Sequence, residues 1–277
     1  MVQLSALILL SALSAFPHAV LAEHHLDSDA EPVLDSIHDR RQASSCNFPN
    51  PPASSNVKLL DGPIVVKAGE PFDGKGLRYG RGLTCNPKDE TGKVDAVFIL
   101  EPNAVVENVV VGADVQEGIH CRGPCTVRNV WFENVCEDAV TIQQKSGVST
   151  ITGGGAKGAV DKVVQHNGGG MVNIQNYCVQ DFGALYRSCG NCGTQVARQV
   201  KISQVTASNG RRLAGVNSNY GDVATIEKTA RTTGVQSMCD TFKGNNVGAE
   251  PDPLTTNEPN ARDIAYGSSQ HLANEEI

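Results

Sequence analysis

Short runs rich in β-branched residues recur along the middle of the chain, at Asn108-Val-Val-Val, Asn129-Val-Trp-Phe, Thr150-Ile-Thr, Asn173-Ile-Gln-Asn and Val200-Lys-Ile-Ser. The first three steps between them are 21, 21 and 23 residues. A period in the low twenties is that of a solenoid coil, in which several short strands and turns stack on the next copy. Leucine-rich repeats share the period but need a Leu-x-x-Leu-x-Leu signature, which is absent. The pattern therefore predicts an all-β parallel β-helix. Asn at the head of several runs suits turns in the left-handed region. Gly153-Gly154-Gly155 and Gly168-Gly169-Gly170 fall where such coils turn sharply. Neither is followed by the amphipathic helix or the Lys-Ser/Thr pair of a phosphate loop.

Composition agrees. Aromatics make up 5% of the 277 residues and glycine 28 positions, a mix for short strands and tight turns. The ends read differently from the middle. Residues 1–22 are apolar through Leu7-Ile8-Leu9-Leu10 and close on Val20-Leu21-Ala22, a signal-peptide pattern that lacks a basic n-region. The run is too short and too interrupted for a membrane span. Residues 23–45 are acidic and end in Arg40-Arg41, as a pro-segment or a flexible linker would. Residues 46–243 are expected to form the β-helix, and residues 244–277 an acidic, disordered tail.

This division changes the meaning of the charge. The chain carries −7 in all. Residues 23–45 hold six acids against Arg40 and Arg41, and residues 244–277 six against Arg262, so the flanks account for −4 and −5 and the core is left at +2. A basic core tolerates a polyanionic ligand. Nine cysteines in an exported chain imply several disulfides and one thiol left over. Cys121/Cys125 and Cys189/Cys192 are read as structural, because no second pair or nearby histidines complete a zinc site.

In a solenoid, residues one coil apart stack in columns. Glu117 lies 20 and 21 residues before Glu137 and Asp138, Lys162 follows Asp138 by 24, and Arg187 follows Lys162 by 25. All can share one face. Carboxylates on adjacent coils, with Asn134 or water, would make an all-oxygen site suited to calcium. The competing reading is a solvated turn for Glu137-Asp138 and surface ion pairs for the cations. Asp161 and Asp181 are read as structural partners of those cations. His120 and His166 are read as hydrogen-bonded structural histidines, and Trp131 as core.

Four segments carry a resemblance: Glu117-Gly-Ile-His-Cys121, the run from Cys125 to Ala139, Asp161-Lys-Val-Val-Gln-His-Asn167 and Leu185-Tyr-Arg-Ser-Cys-Gly-Asn-Cys192. They resemble polysaccharide lyase family 3, the small pectate lyases, and a weaker likeness runs from Phe72 to Cys239. The resemblance implies a secreted, right-handed single-stranded parallel β-helix that cleaves polygalacturonate by calcium-dependent β-elimination. It implies calcium ligation by Glu117, Glu137 and Asp138, with Lys162 and Arg187 as the catalytic cations. Arg187 is assigned the base and Lys162 the substrate carboxylate or the enolate, and the two roles are exchangeable. Cations beside the base would lower its pKa and favour alkaline conditions.

Two positions depart from the family pattern. Gly183-Ala184-Leu185-Tyr186-Arg187 has Ala184 where the family motif usually has lysine, and Gln143 stands where related sequences often carry lysine. Losing a cationic stabiliser can remove orders of magnitude in turnover with the fold intact. An inactive, pectate-binding homologue is therefore the alternative, with Lys145, Lys157 or Arg122 as possible substitutes for the missing charge. A β-helical hydrolase would need clustered acids of the Asn-Thr-Asp kind and an Arg-Ile-Lys motif, and has neither. No nucleic-acid or membrane motif competes for the core, and a monomer is expected.

Overall fold

The computed structural model describes residues 46–50, 56–69, 71–87 and 91–257 and the backbone of 264–266. The expected signal peptide and the segment 23–45 lie outside these residues. The rest winds into a parallel β-helix with three faces.

The first face stacks β2 (Ile64–Val66), β4 (Ala96–Leu100), β6 (Glu117–Cys121), β8 (Asp138–Ile142) and β10 (Lys162–His166). It continues through the later parts of β12 (Cys178–Ser188), β14 (Thr206–Asn217) and β16 (Arg231–Lys243). The second runs from the first halves of β5 (Val105–Val111), β7 (Thr126–Phe132) and β9 (Val148–Lys157) through β11 (Gly170–Gln175), β13 (Arg198–Ser203), β15 (Val223–Ile226) and β18 (Ile264–Tyr266). The third joins β1 (Val57–Leu59) and β3 (Phe72–Gly80) to the second halves of β5, β7 and β9 and the first parts of β12, β14 and β16.

The turn between second and third faces explains the asparagines. Asn108, Asn129, Gly153, Asn176 and Gln204 all have φ between 49° and 67°, where asparagine and glycine pay least for the left-handed backbone. Asn129 Nδ2 donates to Asn108 Oδ1 at 2.9 Å, one coil below. The expectation holds at Asn108 and Asn129 but not at Asn173, which lies inside β11. Thr150 stacks on Thr126 and not on Asn129. The coil between Asn129 and Gly153 is three residues longer than the one before, which shifts the register.

Inside, apolar columns run through successive coils. Val106, Val127, Ile151, Ile174, Ile202 and Ile226 stack in register and are buried, each contributing about 1.5–3 kcal/mol by leaving water. Four disulfides join Cys46–Cys178, Cys85–Cys136, Cys121–Cys125 and Cys189–Cys192. The ninth cysteine, Cys239, is buried in the column of Ile119, Val140, Val164, Tyr186 and Ala214. Trp131 is not core: it is half-buried on the outside of the third face, with Phe48 edge-on at 5.1 Å and its Nε1 donating to Asn129 Oδ1.

The tail departs from expectation. Residues 252–256 form β17 (Asp252–Thr256), antiparallel on β16, and the Asn245 amide donates to Gly190 O at 2.7 Å. Backbone pairing supplies the order that its side-chain pattern does not announce.

Candidate active site

The first face has a side-chain rhythm that builds a site. In Asp138-Ala139-Val140-Thr141-Ile142 the second, third and fifth residues pack into the core, while the first and fourth line a cleft. Repeated coil after coil, this gives two cleft columns three residues apart. Continuing the register of β6 on β8 sets Glu117 beside Asp138, and Lys162, Ala184 and Arg212 follow. The second column holds His120, Thr141, Gln165, Arg187 and Gly215. All but Gly215 line one cleft of about 680 Å³, walled by Thr91 and Lys93 and by Glu250, Pro251 and Pro253.

One end is acidic. Asp138 is pushed up to about 8, first by burial and then by Glu117 and Glu137, against the pull of Lys162. Glu137 is pushed up to about 7 by burial and by Glu117, although the Thr91 amide and hydroxyl both donate to its Oε2. Glu117 Oε2 and Asp138 Oδ1 are buried without a hydrogen-bond partner, as are both ring nitrogens of His120. His120 Nε2 lies 3.3 Å from Glu117 Oε2 without hydrogen-bond alignment, so His120 is not the satisfied structural histidine expected. His166 is: its ring nitrogens meet Tyr186 Oη at 2.8 Å and Gly169 O at 3.1 Å, and burial lowers it to about 4.

Among the described residues no three His, Cys, Asp or Glu side chains form a ready metal cage. The donors nevertheless suit a hard divalent cation. They are carboxylates, two of their oxygens are buried and orphaned, and the charged forms of Glu137 and Asp138 are disfavoured until a cation compensates them. Asn134 does not belong to this set. It lies against Gly158, away from the cleft lining.

The other end is basic. Lys162 bridges the two, with Nζ 3.6 Å from Asp138 Oδ1 and 2.5 Å from Asp161 Oδ2. Burial works against its charge, but these acids outweigh burial and raise its pKa. Arg187 goes the other way, lowered to about 10 by burial and then by Arg212. Its Nη1 donates to Ser188 O, Gly215 O and Asn217 Oδ1, and its guanidinium lies 3.9 Å from the centre of the Phe242 ring.

The sequence-predicted residues thus meet in one cleft, with changes of partner. Arg187 stacks on Gln165, not on Lys162; Ala184 is the residue in register with Lys162. Asp161 does pair with Lys162, but Asp181 sits exposed in a left-handed turn and accepts from Asn209 Nδ2. Lys145, Lys157 and Arg122 do not line the cleft: Lys157 lies over Phe48 and Arg122 pairs with Glu101. The cleft residues that sequence reasoning missed are Arg211, Arg212, Phe242, Thr91 and Pro251. Arg212 follows Ala184 by a 28-residue coil, outside the period used to find the others.

A profile of the family described as pectate lyase matches residues 48–248. The chain is 47% identical over 213 residues to a probable pectate lyase D of Aspergillus fumigatus, covering 77% of this chain and 88% of that one. It is 45% identical over 238 residues to pectate lyase H of Emericella nidulans, covering 86% and 89%. Among solved structures, pectate lyase PelI from Erwinia chrysanthemi in complex with tetragalacturonic acid superposes with a TM-score of 0.62 at 31% identity, covering 78% of this chain and 70% of that one.

Proposed function

Because this chain belongs to the pectate lyase family, and is on that ground a polysaccharide lyase acting on pectate, we propose that it cleaves de-esterified (1→4)-α-D-galacturonan by calcium-dependent β-elimination outside the cell. Glu117, Glu137 and Asp138 would hold the calcium, which when bound would neutralise the galacturonate carboxylate and acidify the proton on C5. Lys162, kept protonated by Asp138 and Asp161, steadies the charge that grows on the same carboxylate. Neutral Arg187 takes the C5 proton. The C4–O4 bond then breaks as the C4–C5 double bond forms, and the departing O4 is protonated. No water is consumed.

The observation that carries this reading is the junction of the two ends: orphaned carboxylate oxygens on Glu117 and Asp138, two rungs and one rung from Lys162, in the same cleft as an arginine of lowered pKa. It also favours Arg187 over Lys162 as the base, since only Arg187 is shifted toward its neutral form. The alternative raised by Ala184, a homologue that binds without turnover, finds no support in a cleft that keeps both cations. Export is supported by the apolar leader pattern and the four disulfides, and no helix among the described residues is long and apolar enough to cross a membrane. A methyl ester would remove the charge the cleft is built to hold, and the residues of this cleft all come from one chain, as in a monomer.

The test is incubation with polygalacturonate in calcium or in chelator, following ultraviolet-absorbing unsaturated ends and reducing ends together. Unsaturated product that disappears with chelator is expected. Reducing ends without unsaturation would refute the lyase chemistry.

A further inference from the structure

We propose that Arg212 works beside Lys162 and Arg187 in the cleft: it takes a galacturonate carboxylate of the bound polymer in the place left by Ala184, and holds Arg187 ready for proton abstraction. This rests on the lyase reading above. Ala184 stands in register between Lys162 on one side and Arg212 on the other, so the cation row along the first face runs Lys162, a gap, Arg212. The gap is one methyl wide. A carboxylate set over it would meet Lys162 and Arg212 two rungs apart, each rung about 4.8 Å.

Arg212 is anchored as a binding residue should be. Its Nε lies 2.8 Å from Asp240 Oδ2 as an ion pair without hydrogen-bond alignment, and Ser237 Oγ donates to the other oxygen of Asp240. The guanidinium rests 5.0 Å from the centre of Phe242, the ring that also carries Arg187. A Cβ at Gly215 would lie 2.9 Å from Arg187 Cδ and 3.4 Å from Arg212 Cδ, so the absence of a side chain there lets both arginines lie across one rung. No hydrogen bond is formed by the terminal nitrogens of Arg212 among the described residues, and the residue lines the cleft. A planar fork with its stem fixed and its tips uncommitted is suited to a carboxylate.

The same contact bears on Arg187. The charged and titratable groups around that guanidinium are Arg212 on β14, Asp161 beside β10, Tyr186 on its own strand and Asp222 beyond the 3-10 turn Ser218–Tyr220, while Glu250 lines the cleft from the tail. Arg212 is the cation in the set, and after burial it is the largest influence depressing Arg187.

The experiment compares wild type with Arg212→Gln/Asp240→Asn, which removes the arginine without stranding a buried carboxylate. The expected result is a folded protein whose kcat falls about 100-fold, with the rising limb of its pH–rate profile moved to higher pH. Adding Ala184→Lys to the double variant should recover at least about tenfold by refilling the row from the adjacent rung. A folded double variant within threefold of wild-type kcat, or with an unmoved rising limb, would overturn the proposal. Should the double variant lose its fold, Arg212→Lys decides, since it keeps the charge and the Asp240 pair. A fall of about tenfold or more in kcat/KM supports the bidentate grip, and an unchanged kcat/KM overturns it. Calorimetry with a galacturonate oligomer, run in parallel, separates this from the lyase reading. A wild type without unsaturated product refutes the reading, while loss of oligomer binding in the Arg212 variants still supports the proposal.

Discussion

The acidic and basic ends of the cleft are built by the same stacking rule and reach opposite electrostatic states. At one end Glu117, Glu137 and Asp138 crowd one another, with buried oxygens that find no donor. At the other, Arg187 and Arg212 crowd one another but rest on backbone carbonyls, Asn217, Asp240 and the Phe242 ring. Rung spacing leaves such groups little room to move apart. Two like charges about 5 Å apart, at an effective dielectric near 20, repel by roughly 3 kcal/mol, which is enough to move a pKa by about two. Rung spacing thus adds like-charge repulsion to burial, which is the larger cause of the shifts at Glu137, Asp138 and Arg187. The acidic end suits a cation, and the basic end suits an anion.

The comparison breaks most sharply at the acids. Chelation, or Asp138→Asn, should lower turnover by about 10³-fold or more, with calcium binding lost in calorimetry, because a required ligand is removed. Retained turnover in either case would mean that the acidic end is only structural. Arg187→Gln should cost about 10²–10⁴-fold in kcat while leaving calcium binding intact, which sets the two ends apart by function. Gly215→Ala should cost about tenfold in kcat with the fold retained, since its Cβ would push on Arg187 Cδ.

A smaller effect concerns stability. Asp138 and Glu137 have folded-state pKa values raised to about 8 and about 7, above those of the unfolded chain, so the folded state holds their protons longer. Stability without calcium should accordingly fall as pH rises from about 4, where the unfolded carboxylates ionise, to about 8, and calcium should abolish that slope. His166 acts in the opposite sense, between about 4 and 6.5, in the lower part of the same range. Its folded value of about 4 lies below the ordinary 6.5, so its contribution is present above 6.5 and is lost as pH falls toward 4. Thermal melts at pH 5, 6.5 and 8, with and without calcium, separate the two.

How much of this was legible in the sequence depended on coil length. The step from Glu117 to Asp138 matches the repeat, so the acids were found by spacing as well as by motif. Arg187 was found by motif but given the wrong neighbour, because spacing pointed to Lys162 and the register sets it beside Gln165. Arg212 was missed because the coil between it and Ala184 carries the Cys189–Cys192 loop and runs to 28 residues. Thr91 and Pro251 reach the cleft from a loop and a tail tied by hydrogen bonds and a backbone ladder, neither of which leaves a side-chain period. The helix itself was legible from its repeating runs, while Asn173 and Thr150 were displaced by variable coils.

The central claim is that burial, with the cation Arg212 beside it, brings Arg187 into range as a base. The most direct measurement is the pH dependence of kcat on polygalacturonate at saturating calcium, which keeps the acids ligated throughout. With Arg187 at about 10, turnover should climb about tenfold per pH unit from 7 and level near 10. A profile that is flat from pH 7 upward, or that levels below 8, would contradict it.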